Sequence, residues 1–230
     1  MSRILIIMSA ADVWTRTDGS AYPTGYWAEE VAAPHEKFVE AGHTVDFASP
    51  GGVLQPLDAH SADPALAGAD CARYVAHAEK ALREFGPLLK LEDIDIRDYA
   101  ALVLPGGHGP VVDLYQDPAL GRLLTAADAS GVLVGAVCHG PAGLLSAVDE
   151  KGAWLYEGRR MTAFTDEEEA VFGTAEGAPW LLATTLREKG AVHVGGPAYQ
   201  QHNVRDGNLF TGQNPASSAR LAEDMIEALG

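Results

Sequence analysis

GVLVGAVCHGPAGLL, residues 131–145, is the stretch whose reading decides the fold. Its apolar run, Val132 to Val137, is short and closes in turn residues, which suits a strand buried on both faces. The run breaks at Cys138-His139-Gly140-Pro141, and a helix-forming segment, Ala142 to Ala147, follows at once. Strand, tight turn and helix with a nucleophile-type residue at the corner make a nucleophile elbow. The turn holds the corner residue in strained backbone, and the helix N-terminus aims free N–H groups and its positive dipole end at the side chain. A thiol placed there is expected to ionise more readily than one in water, and the thiolate is the reactive form. The alternative is a buried structural cysteine. The agreement of strand, corner, glycine and helix favours the reactive reading.

Upstream of the elbow, the helix-forming Asp117 to Ala129 leads back to another buried strand, Ala101 to Leu104. That strand runs into Pro105-Gly106-Gly107-His108-Gly109-Pro110, where glycines let the backbone approach a ligand with its N–H groups outward. No glycine follows Gly109 at dinucleotide spacing. An oxyanion hole needs such donors near the nucleophile, and Gly107 with the backbone N–H of His139 would supply a pair. A plain strand-to-helix turn is the competing reading.

At the N-terminal side, Arg3 to Met8 reads as a buried strand and Ser9 to Thr24 as polar and turn-rich. Gly25 to Gly42 reads as a helix, and His43 to Ala48 as the strand that closes a βαβ unit. Trp27, Val31, Pro34 and Phe38 share one stripe of that helix. Glu30 lies on the flank of the stripe, whereas Glu29 points away with Glu36 and Glu40. A carboxylate beside a buried stripe is costly unless it has a partner or a task; the other reading sends Glu30 round to solvent. Residues 50–68 read as loop with a turn of helix, and Cys71 to Phe85 as helix.

Beyond the elbow, Trp154 to Phe164 suggests short strands around a Glu157-Gly158 turn. Thr165 with Glu168 fits a capping box, which gives Glu168 a structural role. Asp166 and Glu167 complement the helix dipole on a wet surface, and Glu169 is the member of the run set apart as buried. Pro179 to Gly190 reads as an amphipathic helix and residues 192–211 as short strands with an Asp206-Gly207 hairpin turn. The last helix starts at Asn214-Pro215 and carries Leu221, Met225 and Leu229 as its stripe. Alternating strands and helices make residues 1–230 one α/β domain with a largely parallel sheet covered on both faces.

Sixteen basic residues against 32 acidic ones leave a net charge of −16, which disfavours a nucleic-acid or anionic-membrane partner. No apolar run reaches the length of a membrane span, and no charged leader precedes an apolar segment. Cys71 and Cys138 form no disulfide or metal framework, and a reduced pair in the cytoplasm is expected. The eight histidines show no metal-site spacing. Neither a metal nor a cofactor is expected.

AVCHGPAGLL, PGGHG, GYWAEEVAAPHEKF, FTDEEEAVFG and TGQNPAS together resemble the ThiJ/PfpI superfamily over nearly the whole chain. Within it they resemble the glutathione-independent glyoxalase (glyoxalase III) branch, which also contains heat-shock chaperones. The resemblance implies a flavodoxin-like α/β fold and a homodimer. It carries the nucleophile to Cys138, its neighbouring histidine to His139, the helix carboxylate to Glu30, the acidic partner to Glu169 and the glycine-rich loop to Gly106, Gly107 and His108. The late His-x-Glu pair of the related class I glutamine amidotransferases follows neither His193 nor His202. The implied substrate is a small 2-oxoaldehyde, methylglyoxal going to lactate. Two other readings remain at this stage: a holdase-type chaperone, and a cysteine hydrolase (peptidase, amidase or deglycase). The hydrolase ranks lowest, because His139 follows its nucleophile directly and is not expected to reach the thiol.

Overall fold

The computed structural model describes residues 1–230. The elements, in order, are β1 (Arg3–Ile7), β2 (Val13–Thr15), β3 (Ala21–Pro23), α1 (Ala28–Glu40), β4 (Thr44–Ser49), α2 (Pro64–Ala67), α3 (Cys71–Phe85), β5 (Leu89–Lys90), β6 (Ala101–Leu104), α4 (Pro118–Ser130) and β7 (Leu133–Val137). After the elbow come β8 (Arg160–Met161), α5 (Asp166–Phe172), α6 (Leu182–Glu188), β9 (Val192–His193), β10 (Asn203–Asp206), β11 (Leu209–Gly212) and α7 (Ser218–Leu229). Seven strands form one sheet in the order β10-β11-β7-β6-β1-β4-β5, parallel except for the β10–β11 hairpin. This is the flavodoxin-like, doubly covered α/β arrangement expected.

The strand period of two sorts the core onto two faces. Ile4, Ile6, Ala101 and Val103 meet α1, α3 and α7 through Val31, Phe38, Leu82, Leu221 and Met225. Leu5, Ile7, Leu102, Leu104 and Val134 meet α4 through Leu120, Leu123 and Leu124 on the other face. Side chains alternate faces while every residue of β6, and of β1 beyond the exposed Arg3, is apolar and buried, so both are buried runs rather than patterned ones. Asp117 caps α4 by accepting from the N–H groups of Ala119 and Leu120, and Gly131 ends it in the left-handed conformation.

Three local expectations are corrected. The polar stretch 9–24 contains the β2–β3 hairpin, in which Trp14 turns inward and the flanking residues stay exposed. Residues 154–164 hold only the two-residue β8, which pairs in parallel with β9. The segment after Cys138 is a 3-10 helix, Gly140–Ser146, that begins where Gly140 packs directly on the Leu104 carbonyl, with Pro141 in its first turn.

Candidate active site

The carboxyl ends of β6, β7 and β11 lie side by side, and each runs into a loop that bears site residues. At the end of β7, Cys138 has φ of 59°, one of two non-glycine residues in the left-handed region. Such backbone costs about 1–3 kcal/mol and persists only where its surroundings hold it. Here the Cys138 N–H donates to Gly212 O (3.0 Å) and its carbonyl accepts from Phe164 N–H (2.9 Å). The sharp elbow is therefore clamped between the end of β11 and the chain leaving β8.

The elbow presents its thiol to His139: Sγ lies 3.3 Å from Nδ1. The ring's other nitrogen, Nε2, lies 2.6 Å from Glu169 Oε1. This corrects the expectation that an adjacent histidine falls short of its own nucleophile, since the left-handed corner folds the imidazole back alongside the thiol. Burial works to raise the Glu169 carboxyl, but the imidazoles of His139 and His108 outweigh it and hold it below the usual carboxylate range. An ionised Glu169 needs donors, so Nε2 carries the His139 proton and Nδ1 is left to accept from sulfur. Glu169 also accepts from the Thr174 hydroxyl, and its Oε2 faces His108 Nε2 at 3.4 Å.

Glu30 does not reach solvent. It is fully buried on α1, its Oε2 accepts from Gly106 N–H at 2.6 Å, and its carboxyl adjoins the Cys138 thiol. Burial lifts its pKa from 4.5 to about 8, against the lowering pull of the Gly106 N–H and the thiol. Burial, followed by the carboxylates of Glu30, Glu168 and Glu169, also pushes the Cys138 thiol up. This corrects the expectation of a readily ionised thiol. The short 3-10 segment brings little dipole, whereas desolvation and the neighbouring acids oppose a second negative charge. The resting thiol therefore needs a base, and His139 is the base it touches.

Gly106 fits because a Cβ there would press on Glu30 Oε2, His139 N and Cys138 Cβ, at 2.8, 2.8 and 3.0 Å. Neither Gly107 N–H nor His139 N–H is taken by another group of the chain. Both residues line a pocket of about 170 Å³, together with Cys138 and His108. Its walls are largely aromatic: Trp27, Phe164, Phe172 and Tyr199. Leu66 and Ala67 of α2 complete the rim, so part of the 50–68 loop closes over the site. Glu29, read as pointing away, also lines the pocket and is half-buried.

Sequence reasoning missed the reach of Glu168. The capping box with Thr165 is present. The same carboxylate, fully buried, also accepts from Tyr199 N–H (2.8 Å), Asn214 Nδ2 (2.8 Å) and Gln213 Nε2 (3.1 Å). It thereby ties the loop after β11 to Tyr199, the second non-glycine residue with positive φ, at 55°. These partners lie more than thirty residues away, where no local pattern reaches.

The DJ-1/PfpI family model matches residues 23–228, and the chain belongs to that family. Its relatives include the glutathione-independent glyoxalase HSP31 of Saccharomyces cerevisiae, 30% identical over 98% of this chain and 97% of its own. The protein/nucleic acid deglycase HchA of Pseudomonas aeruginosa is also 30% identical, over 92% of this chain and 76% of its own. The solved structure of glyoxalase III from Candida albicans matches with a TM-score of 0.81 at 28% identity, covering 99% of this chain and 97% of that one. No helix is long and apolar enough to cross a membrane.

Proposed function

We propose that the protein is a glutathione-independent glyoxalase that converts a small 2-oxoaldehyde such as methylglyoxal to the 2-hydroxy acid. The observation that carries this reading is a thiol and an imidazole that line one pocket of about 170 Å³, with the buried Glu30 carboxyl set against the thiol from behind. Cys138 sulfur bonds to the aldehyde carbon while His139 Nδ1 takes the thiol proton, and the carbonyl oxygen becomes the hemithioacetal hydroxyl. Glu169 holds the imidazole in place and stabilises its charged form. A base, Glu30 after it has given its own proton to the substrate oxygen or His139 once neutral again, removes the proton from the thiol-bearing carbon. The enediolate so formed is reprotonated at the neighbouring carbon, which leaves a thioester on Cys138. Water cleaves that thioester, releasing the hydroxy acid and restoring the thiol, with no net oxidation. The N–H groups of Gly107 and His139 are placed to hold the developing oxyanion.

The names of the relatives support the same reaction. The decisive experiment is a glutathione-free assay with methylglyoxal that identifies lactate as product and compares wild type with Cys138→Ala. Full turnover by the variant would overturn the scheme. The deglycase name of one relative favours one further reading, hydrolysis of an adduct through the same thiolate. Release of amine from a glycated amino acid faster than lactate forms from free methylglyoxal would establish it instead. The reading also carries a cytoplasmic homodimer, on family resemblance, which sedimentation of the purified chain and cell fractionation test.

A further inference from the structure

The proposed chemistry uses one of the two imidazoles that Glu169 holds, which leaves His108 without a task. His108 is 5% exposed, its ring stacks on Trp14 (4.8 Å between centroids, 19° between planes), and its centroid lies 4.3 Å from that of His139. One ligand-type atom from each of His108, His139 and Glu169 falls within 4.8 Å of the other two. Two imidazoles and a carboxylate with an open fourth position form a donor set that suits Zn²⁺, at about 2.0–2.2 Å per ligand. Tetrahedral ligands at that range sit about 3.3 Å apart. The 3.4 Å between His108 Nε2 and Glu169 Oε2 already suits that spacing, and the 2.6 Å contact from His139 Nε2 opens once its proton is replaced by the ion. Outer support is in place: the Thr174 hydroxyl on Glu169 and the Trp14 ring against His108. An entry path exists too, because His108 and His139 line the pocket.

We propose that His108, His139 and Glu169 form a Zn²⁺ site whose occupation switches the pocket off. With the ion on Nε2, the one proton of neutral His139 moves to Nδ1 and faces Cys138 sulfur. A ring nitrogen that bears a proton cannot accept another, so the thiol loses its base. The binding half of this inference stands apart from the proposed reaction; the inhibitory half rests on it. The spacing of histidines along the chain gave no sign of the site, because His108 and His139 come from the separate connections after β6 and β7, and Glu169 from helix α5.

Titration of the metal-free full-length protein with Co²⁺, followed by its visible ligand-field bands, tests the site directly. One Co²⁺ per chain is expected, displaced by Zn²⁺ and retained in Cys138→Ala. Affinity is expected to fall by at least about tenfold in His108→Gln and in Glu169→Gln, the loss typical of even an outer-shell partner. Circular dichroism of each variant separates lost binding from lost folding. Absence of saturable binding to wild type would overturn the site, and so would binding abolished in folded Cys138→Ala yet intact in His108→Gln. In the lactate assay, Zn²⁺ that binds at this affinity without slowing turnover would refute the inhibitory half and leave the site standing.

Discussion

Replacing Glu30 by Gln removes the one carboxyl whose proton the fold holds most firmly. Its pKa rises from 4.5 to about 8 on folding because the charged form is fully buried. Between those values the native chain binds more protons than the unfolded one, so stability falls as pH rises. The slope is about 1.4 kcal/mol per pH unit, and the whole interval is worth roughly 4–5 kcal/mol as an upper figure. The amide keeps the shape and can still accept from Gly106 N–H, but it does not titrate. Wild type and Glu30→Gln should therefore match within ~1 kcal/mol at pH 5. By pH 9 the variant should be the more stable by several kcal/mol. Urea denaturation followed by tryptophan fluorescence, across pH 5 to 9, measures the difference, and the same pair in a Cys138→Ala background removes the thiol's own titration. A difference that stays flat with pH, or that moves in favour of wild type, would refute the account of a buried neutral acid.

Cys138 should be alkylated by iodoacetamide more slowly than free cysteine at pH 8, because burial and then its acidic neighbours raise the thiol. Glu30→Gln should speed labelling at pH 9, where the native carboxylate repels the thiolate; peptide mass spectrometry distinguishes Cys138 from Cys71, and equal rates would contradict the electrostatics. Glu168→Ala should cost about 3 kcal/mol or more in chemical denaturation, since it leaves the Tyr199 N–H unpaired, takes one acceptor from each of the Gln213 and Asn214 amides, and breaks the capping box with Thr165. A loss below ~1 kcal/mol would show those contacts to be dispensable.

The sheet was legible because its strands are short apolar runs bounded by turn residues, and β1, β6 and β7 lie where those runs stand. The elbow was legible for the same reason: a strand that ends in Cys-His-Gly-Pro has nowhere to go but round a corner. Glu30 and Glu169 stood out as acids where helix position argued for burial, and both are buried. The upward push on the thiol was not legible, because it depends on how deeply the tertiary fold buries the sulfur and which acids it gathers around it. His139 misled for a similar reason, as chain adjacency says nothing of a left-handed backbone at the residue before it. The β2–β3 hairpin was masked by a polar composition in which Trp14 alone of its first strand faces the core.

The site draws on α1, on the connections after β6, β7 and β11, and on the start of α5, so no contiguous piece of the chain contains it. Gly106 can touch Glu30, Cys138 and His139 only when β6 and β7 are zipped in register and α1 has docked. Catalytic competence in this molecule is consequently a late event of folding, and regained turnover after dilution from urea would time the final docking step, whereas recovered helix signal would time only its beginnings.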